Sequence, residues 1–148
     1  MDNEELVETL NDLVRINNDR IQGFKKSIED NEDAQLNDLF RHMMVQSQQF
    51  RSELADHIVR LDGSAVDETT STDLSSKVHR AWIDIKAAVT GKNRDTILSS
   101  VEFGENAAVE AYEDALDDED LPAHIKTLLE SHLSKLRASH DQMASLRH

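Results

Sequence analysis

Two glutamates, Glu102 and Glu105, stand between Leu98 and Val109 where an amphipathic helix is expected to carry apolar side chains. Three residues apart on a helix, they share one face. A carboxylate facing a core has to be paired, protonated or bound to a cation, because an isolated buried charge costs several kcal/mol. Partners of the right type occur at matching depth: His140 on a later apolar stripe, and Asn17, Asn18 and Asp19 in the middle of an early one. Carboxylates combined with imidazole suit Fe, Mn or Zn. Asp19, Glu102, Glu105 and His140 are therefore candidate ligands for one metal ion.

The same positions also suit a metal-free polar network. In it Arg137 neutralises Glu102 or Glu105, and Asn18, Ser47 and His140 satisfy the remaining groups. Di-metal bundles take a carboxylate from each of two helices and a Glu-x-x-His motif from each of the other two. This chain departs from that pattern. It reads Arg137-x-x-His140 in the last helix and Ser47-x-x-Phe50 in the second, while Glu53 and His57 fall roughly one to two turns away. A two-metal centre is not supported. Tyr112 reads as a core aromatic with a bonded hydroxyl, and His57 and His132 as interface histidines. The acidic run from Glu113 to Asp120 lacks the order of a calcium loop and reads as a solvated turn. There is no Gly-x-Ser-x-Gly, no phosphate-binding glycine loop and no zinc-protease motif. Hydrolase and nucleotide chemistry have no support, and enzyme activity stays an open question.

Long helices have to position these residues. Apolar residues recur in steps of three and four from Leu6 to Ile28 (helix A), Leu36 to Leu61 (helix B, stopped by Gly63), Ile97 to Leu116 (helix C) and Ile125 to Leu146 (helix D, opened by Pro122). On helix C the stripe reads Leu98, Glu102, Glu105, Val109, Tyr112, Leu116; on helix D it reads Ile125, Leu129, His132, Leu136, His140, Met143. Turn residues separate A from B and C from D by short links, so each pair should form an antiparallel hairpin. Roughly 30 residues separate B from C, enough to cross a bundle whose helices are about 40 Å long. Within that crossover a short helix is expected around Val78, Trp82, Ile85 and Val89, stopped by Gly91. The expected fold is all-α: a ferritin-like four-helix bundle of two antiparallel hairpins, forming one domain over residues 1–148.

Composition agrees and narrows the function. The chain has 148 residues with only four glycines and one proline, so little interrupts a helix. The absence of cysteine excludes disulfides, thiolate metal sites and a cysteine nucleophile. A net charge of −14 with no basic stripe speaks against nucleic-acid binding. No window approaches the roughly 20 apolar residues of a membrane span, and the acidic start is unlike a secretory signal; a cytoplasmic protein without membrane attachment is expected.

Several strings also resemble a known family: Asn17-Asn18-Asp19-Arg20, Arg80-Ala81-Trp82-Ile83-Asp84, Thr90-Gly91-Lys92, Glu102-Phe103-Gly104-Glu105 with Tyr112, and Ser139-His140-Asp141. Together they are similar to a bacterial family of small ferritin-like four-helix-bundle proteins of unknown function, related to general-stress ferritin-like proteins. Members often carry cysteine where this chain has Val101. The resemblance implies a ferritin-like fold and a link to stress but no established reaction. It places Asp19, Glu102, Glu105 and His140 at recurring polar positions. The leading expectation is a stress-associated bundle with a degenerate site for one Fe, Mn or Zn ion. The alternative is a metal-free structural or interaction protein that forms a homodimer or docks a partner, its polar layer fixing helix register.

Overall fold

The computed structural model describes residues 2–30, 33–61 and 94–146. They form α1 (Asn3–Asp30), α2 (Ala34–Arg60), α3 (Arg94–Leu116) and α4 (Ala123–Ser145), with no strand among the described residues. The crossover helix expected around Trp82, with its stop at Gly91, lies outside the described residues, as does Gly63.

Helix boundaries have local causes. Asp2 caps α1, its Oδ1 accepting the Glu5 N–H at 2.8 Å, and Asp33 caps α2 by accepting the Leu36 N–H at 3.2 Å. At the end of α2 the Leu61 N–H bonds back to the carbonyls of His57 and Ile58. Between α3 and α4 the Asp118 carboxylate accepts the Asp120 N–H at 2.9 Å, and Leu121 tucks into the core. Pro122, with φ −57°, is the N-cap of α4, one residue ahead of the first-turn position expected for it.

Side-chain pairs fix the helix directions. Arg20 meets Ser47 while Asn18 meets Arg51, so α1 and α2 are antiparallel. Arg20 meets Glu105 while Asn17 meets Tyr112, so α1 and α3 are antiparallel. Gln46 meets Ser139 while Glu53 meets His132, so α2 and α4 are antiparallel as well. The helices thus run up, down, down and up, and α2 ends at the opposite end of the bundle from the start of α3.

The cores of these helices are built on steps of three and four: Leu10, Leu13, Asn17, Arg20, Phe24 and Ser27 on α1, and Leu36, Phe40, Met43, Ser47, Phe50 and Leu54 on α2. On α3 the buried series is Leu98, Val101, Glu105, Ala108, Tyr112, Ala115; on α4 it is Ile125, Leu129, His132, Leu136, Ser139, Met143. Both lie one residue off the expected stripes at Glu102, Val109, Leu116 and His140. On α3 the small side chains at Ala108 and Ala115 cause this shift, since alanine gives a weak apolar signal but lets neighbouring helices approach closely; on α4 the small Ser139 takes the inward position beside His140. The apolar members form one contiguous cluster, and each fully buried large side chain contributes roughly 1.5–3 kcal/mol before entropy is counted. From Ile16 to Ile21 every residue of α1 is buried. No helix among the described residues is long and apolar enough to cross a membrane.

Candidate functional site

Arg20, fully buried at mid-length of α1, is the centre of the polar layer. Its Nε–H donates to Glu105 Oε1 at 2.5 Å and its Nη2 to Oε2 at 3.1 Å, so both carboxylate oxygens of the equally buried Glu105 are engaged by one guanidinium. Its Nη1 donates to Ser47 Oγ at 2.8 Å, Gln46 Oε1 at 2.9 Å and the Met43 carbonyl at 3.4 Å. Ser139 Oγ donates to the same Gln46 oxygen at 3.3 Å, which brings in α4. All four helices therefore meet in one hydrogen-bonded layer. The guanidinium carbon also sits 5.3 Å from the Phe24 ring centroid, adding a cation–π contact. A planar donor fork matched to a carboxylate is the strongest geometry available to a buried charge pair.

The structure separates the four expected ligands. Glu105 lies in the layer, paired with Arg20. Glu102 and His140 lie at its edge, each one position off its helix's buried series, with Glu102 Oε1 3.3 Å from His140 Nε2 and side-chain exposures of 20% and 25%. His140 Nδ1 is also 3.6 Å from the Asp141 carboxylate. Asp19 is buried, but adjacent helical residues are about 100° apart, so it leaves α1 in a different direction from Arg20. Among the described residues no group of three or more His, Asp or Glu is placed to hold a metal ion. Arg137 does not neutralise Glu102 or Glu105: it pairs with Glu113 at 2.7 Å on the exposed side of α4. Asn18 accepts from Arg51 at 2.8 Å, tying α1 to α2 away from the Glu105 pair.

A second polar chain runs outward from the core. Asn17 Nδ2 donates to the Leu13 carbonyl at 2.9 Å and to the Tyr112 hydroxyl oxygen at 3.0 Å; that hydroxyl lies 3.0 Å from His132 Nδ1. Because the amide nitrogen can only donate, the phenol oxygen accepts there and directs its own O–H at Nδ1. His132 then carries its proton on Nε2, which faces Glu53 Oε2 at 3.6 Å. Phe50 stacks on the imidazole, with centroids 4.1 Å apart. Burial pushes the His132 pKa down to about 4; Glu53 pulls the other way across its longer gap, while Lys135 and His57 add to the depression. Burial raises the Tyr112 pKa, partly countered by the Asn17 hydrogen bond and the Arg20 cation. Further along the α2–α4 seam, His57 and His124 face each other with centroids 5.8 Å apart, and burial, Arg60 and His124 lower the His57 pKa.

The stripe reading passes over Arg20, and it places Tyr112 and His132 on their stripes without joining them. Spacing narrows the choice without settling it: Asn17, Arg20, Ser47, Glu105, Tyr112, His132 and Ser139 fall on the buried three–four series, whereas Glu102 and His140 fall on equally regular stripes one position aside.

An all-α helical bundle held by a buried Arg–Glu layer is thus the class of molecule defined by fold and site. The chain belongs to the family described as Domain of unknown function (DUF2383), whose model matches residues 5–118. The match takes in Arg20, Glu105 and Tyr112 and ends in the turn before α4. No curated protein and no solved structure matches the chain.

Proposed function

We propose that the chain is a metal-free, ferritin-like interaction module in which the Arg20–Glu105 layer sets the register of the helices and so fixes the surface offered to a partner or to a second copy. The observation supporting this reading is the engagement of both Glu105 oxygens by Arg20, which already supplies the cation a buried carboxylate needs. Polar groups at single seam positions are well suited to choosing one register over its slipped alternatives. The up-down-down-up order and the long link between α2 and α3 suit a ferritin-like bundle. The resemblance to general-stress proteins adds a stress-associated setting, and the acidic start and lack of a long apolar window support a cytoplasmic one.

The second reading keeps one Fe, Mn or Zn ion, now at the edge of the layer. The facing of Glu102 and His140 favours it: a carboxylate and a partly buried imidazole whose Nε2 has no hydrogen-bond partner. Glu105 then joins the ion only if Arg20 gives up its hold, and Asp19 only if its side chain turns toward that edge.

Metal analysis of protein purified without chelator separates the two. Under the first reading the wild type, Glu102→Ala and His140→Ala all carry no stoichiometric metal, and the wild type forms a stable homodimer or captures a partner through one surface. Stoichiometric metal in the wild type, lost in either variant, refutes the first reading and supports the second.

A further inference from the structure

We infer that the α2–α4 seam is an acid-opened latch: as His132 and the neighbouring His57–His124 pair take up protons, α4 parts from α2 while the bundle stays hinged along α1–α3. The inference concerns that seam alone and does not depend on the interaction reading.

The two hairpins, α1/α2 and α3/α4, face each other along two seams of different chemistry. The α1–α3 seam is held by Arg20 and Glu105, and neither helix has a histidine. The α2–α4 seam instead gathers His57, His124 and His132. His132 is fully buried with Phe50 of α2 stacked on it, and its surroundings suit only the neutral ring. Its Nδ1 accepts the Tyr112 O–H from α3, while its Nε2 has no hydrogen-bond partner among the described residues and lies 3.6 Å from Glu53 of α2.

A proton on Nδ1 sets two donors against each other. The phenol oxygen already accepts from Asn17 of α1, so a phenol turned to receive Nδ1–H leaves its own hydrogen buried without an acceptor. The ring's charge faces the Glu53 carboxylate across a gap too long for a hydrogen bond, and Lys135 of α4 and His57 of α2 oppose it. Further along the seam His57 and His124 stand 5.8 Å apart, where Arg60 also opposes a charge on His57 while Asp56 and Glu53 favour it. Charging both rings places like charges on facing helices. Water entering a parted seam supplies the partners that the closed one lacks. The sign follows from burial: His132 is held at about 4 when closed and returns to the ordinary 6.5 when open, so the closed form loses ground as the pH falls from 6.5 towards 4.

The chain lacks cysteine, so single introduced thiols report on each seam. Ser139→Cys places one in the α2–α4 seam beside Gln46, and Ala108→Cys places one on α3 between Glu105 and Tyr112, which both reach α1. Labelling of the full chain by dithiodipyridine is followed at about pH 7.5 and about pH 5, each rate divided by that of a free cysteine peptide. The Ser139→Cys thiol should become roughly thirtyfold more accessible at the lower pH through His132 alone, and the Ala108→Cys thiol less than about threefold. Adding His132→Gln should abolish most of the Ser139→Cys acceleration. An unchanged Ser139→Cys rate overturns the latch, and so does an acceleration that survives in folded His132→Gln. Equal acceleration of both thiols means unfolding of the whole bundle and overturns it as well. A His132 ring that titrates near 6.5 in the folded wild type, read by NMR, overturns it whether or not the variant folds.

Discussion

Arg20 and Glu105 meet at the centre of the bundle with two parallel hydrogen bonds, from residues on α1 and α3 that are both fully buried. Neither charge has water to fall back on. The pair therefore contributes little net stability against an apolar substitute of the same shape, yet is costly to break from one side.

Glu105→Ala leaves the guanidinium buried without its counter-charge. Urea unfolding should show a loss of about 3–5 kcal/mol. The double variant Arg20→Met, Glu105→Leu removes both charges and should lose far less than the single variant. Equal losses in the two would mean that the pair does not act as a unit.

Arg137 is the control. Its pair with Glu113 is solvent-exposed on both sides. Surface pairs of this kind are worth about 0–1 kcal/mol, so Arg137→Ala should shift the unfolding midpoint only slightly. A loss comparable to that of Glu105→Ala would mean the α4 arginine has a larger part in the layer than the geometry gives it.

His132 makes stability depend on pH with a definite sign. Its folded pKa of about 4 lies below the ordinary 6.5, so protons bind the unfolded chain more readily. The contribution is fully present above pH 6.5, and it falls progressively as the pH drops from 6.5 through 4. The size is on the order of 3 kcal/mol at full loss. His57, also shifted down, titrates in the same direction. His132→Gln should flatten the curve of unfolding free energy against pH across that window, and an unchanged curve would contradict the assignment.

Tyr112 should not ionise while the protein is folded. Burial raises its pKa from the ordinary 10, so in an alkaline titration phenolate absorbance should rise only together with loss of helical circular dichroism. Removing the hydroxyl in Tyr112→Phe leaves Asn17 with its Leu13 bond but strips His132 Nδ1 of its donor, which should cost about 1–3 kcal/mol. Phenolate appearing near pH 10 with the helix signal intact would place the ring in contact with water.

Much of the architecture is legible in the sequence because leucine, isoleucine and phenylalanine mark three of the buried series well, and because glycine and proline are scarce. The four long helices and their depth alignment follow from spacing alone; Glu102 Oε1 and His140 Nε2 come 3.3 Å apart. The site was less legible. Ala108 and Ala115 carry the α3 seam with little hydrophobicity, so larger neighbours at Val109 and Leu116 drew the stripe one residue aside and put Glu102 inward. Arg20 is hidden for another reason: Asn17, Asn18 and Asp19 beside it already offer polar partners for the layer, and only its step of three from Asn17 and four to Phe24 places the arginine itself in the core. A buried cation is rare enough that composition argues against it. Once Arg20 is placed, the cation that Glu105 requires is found.

The most direct measurement is a crystal structure of protein grown with Fe, Mn or Zn and examined by anomalous scattering at each metal edge. A metal-free register layer predicts Arg20 Nε and Nη2 on the two Glu105 oxygens and no anomalous peak in the layer. A peak bonded to Glu105, with the Arg20 side chain displaced, would contradict it.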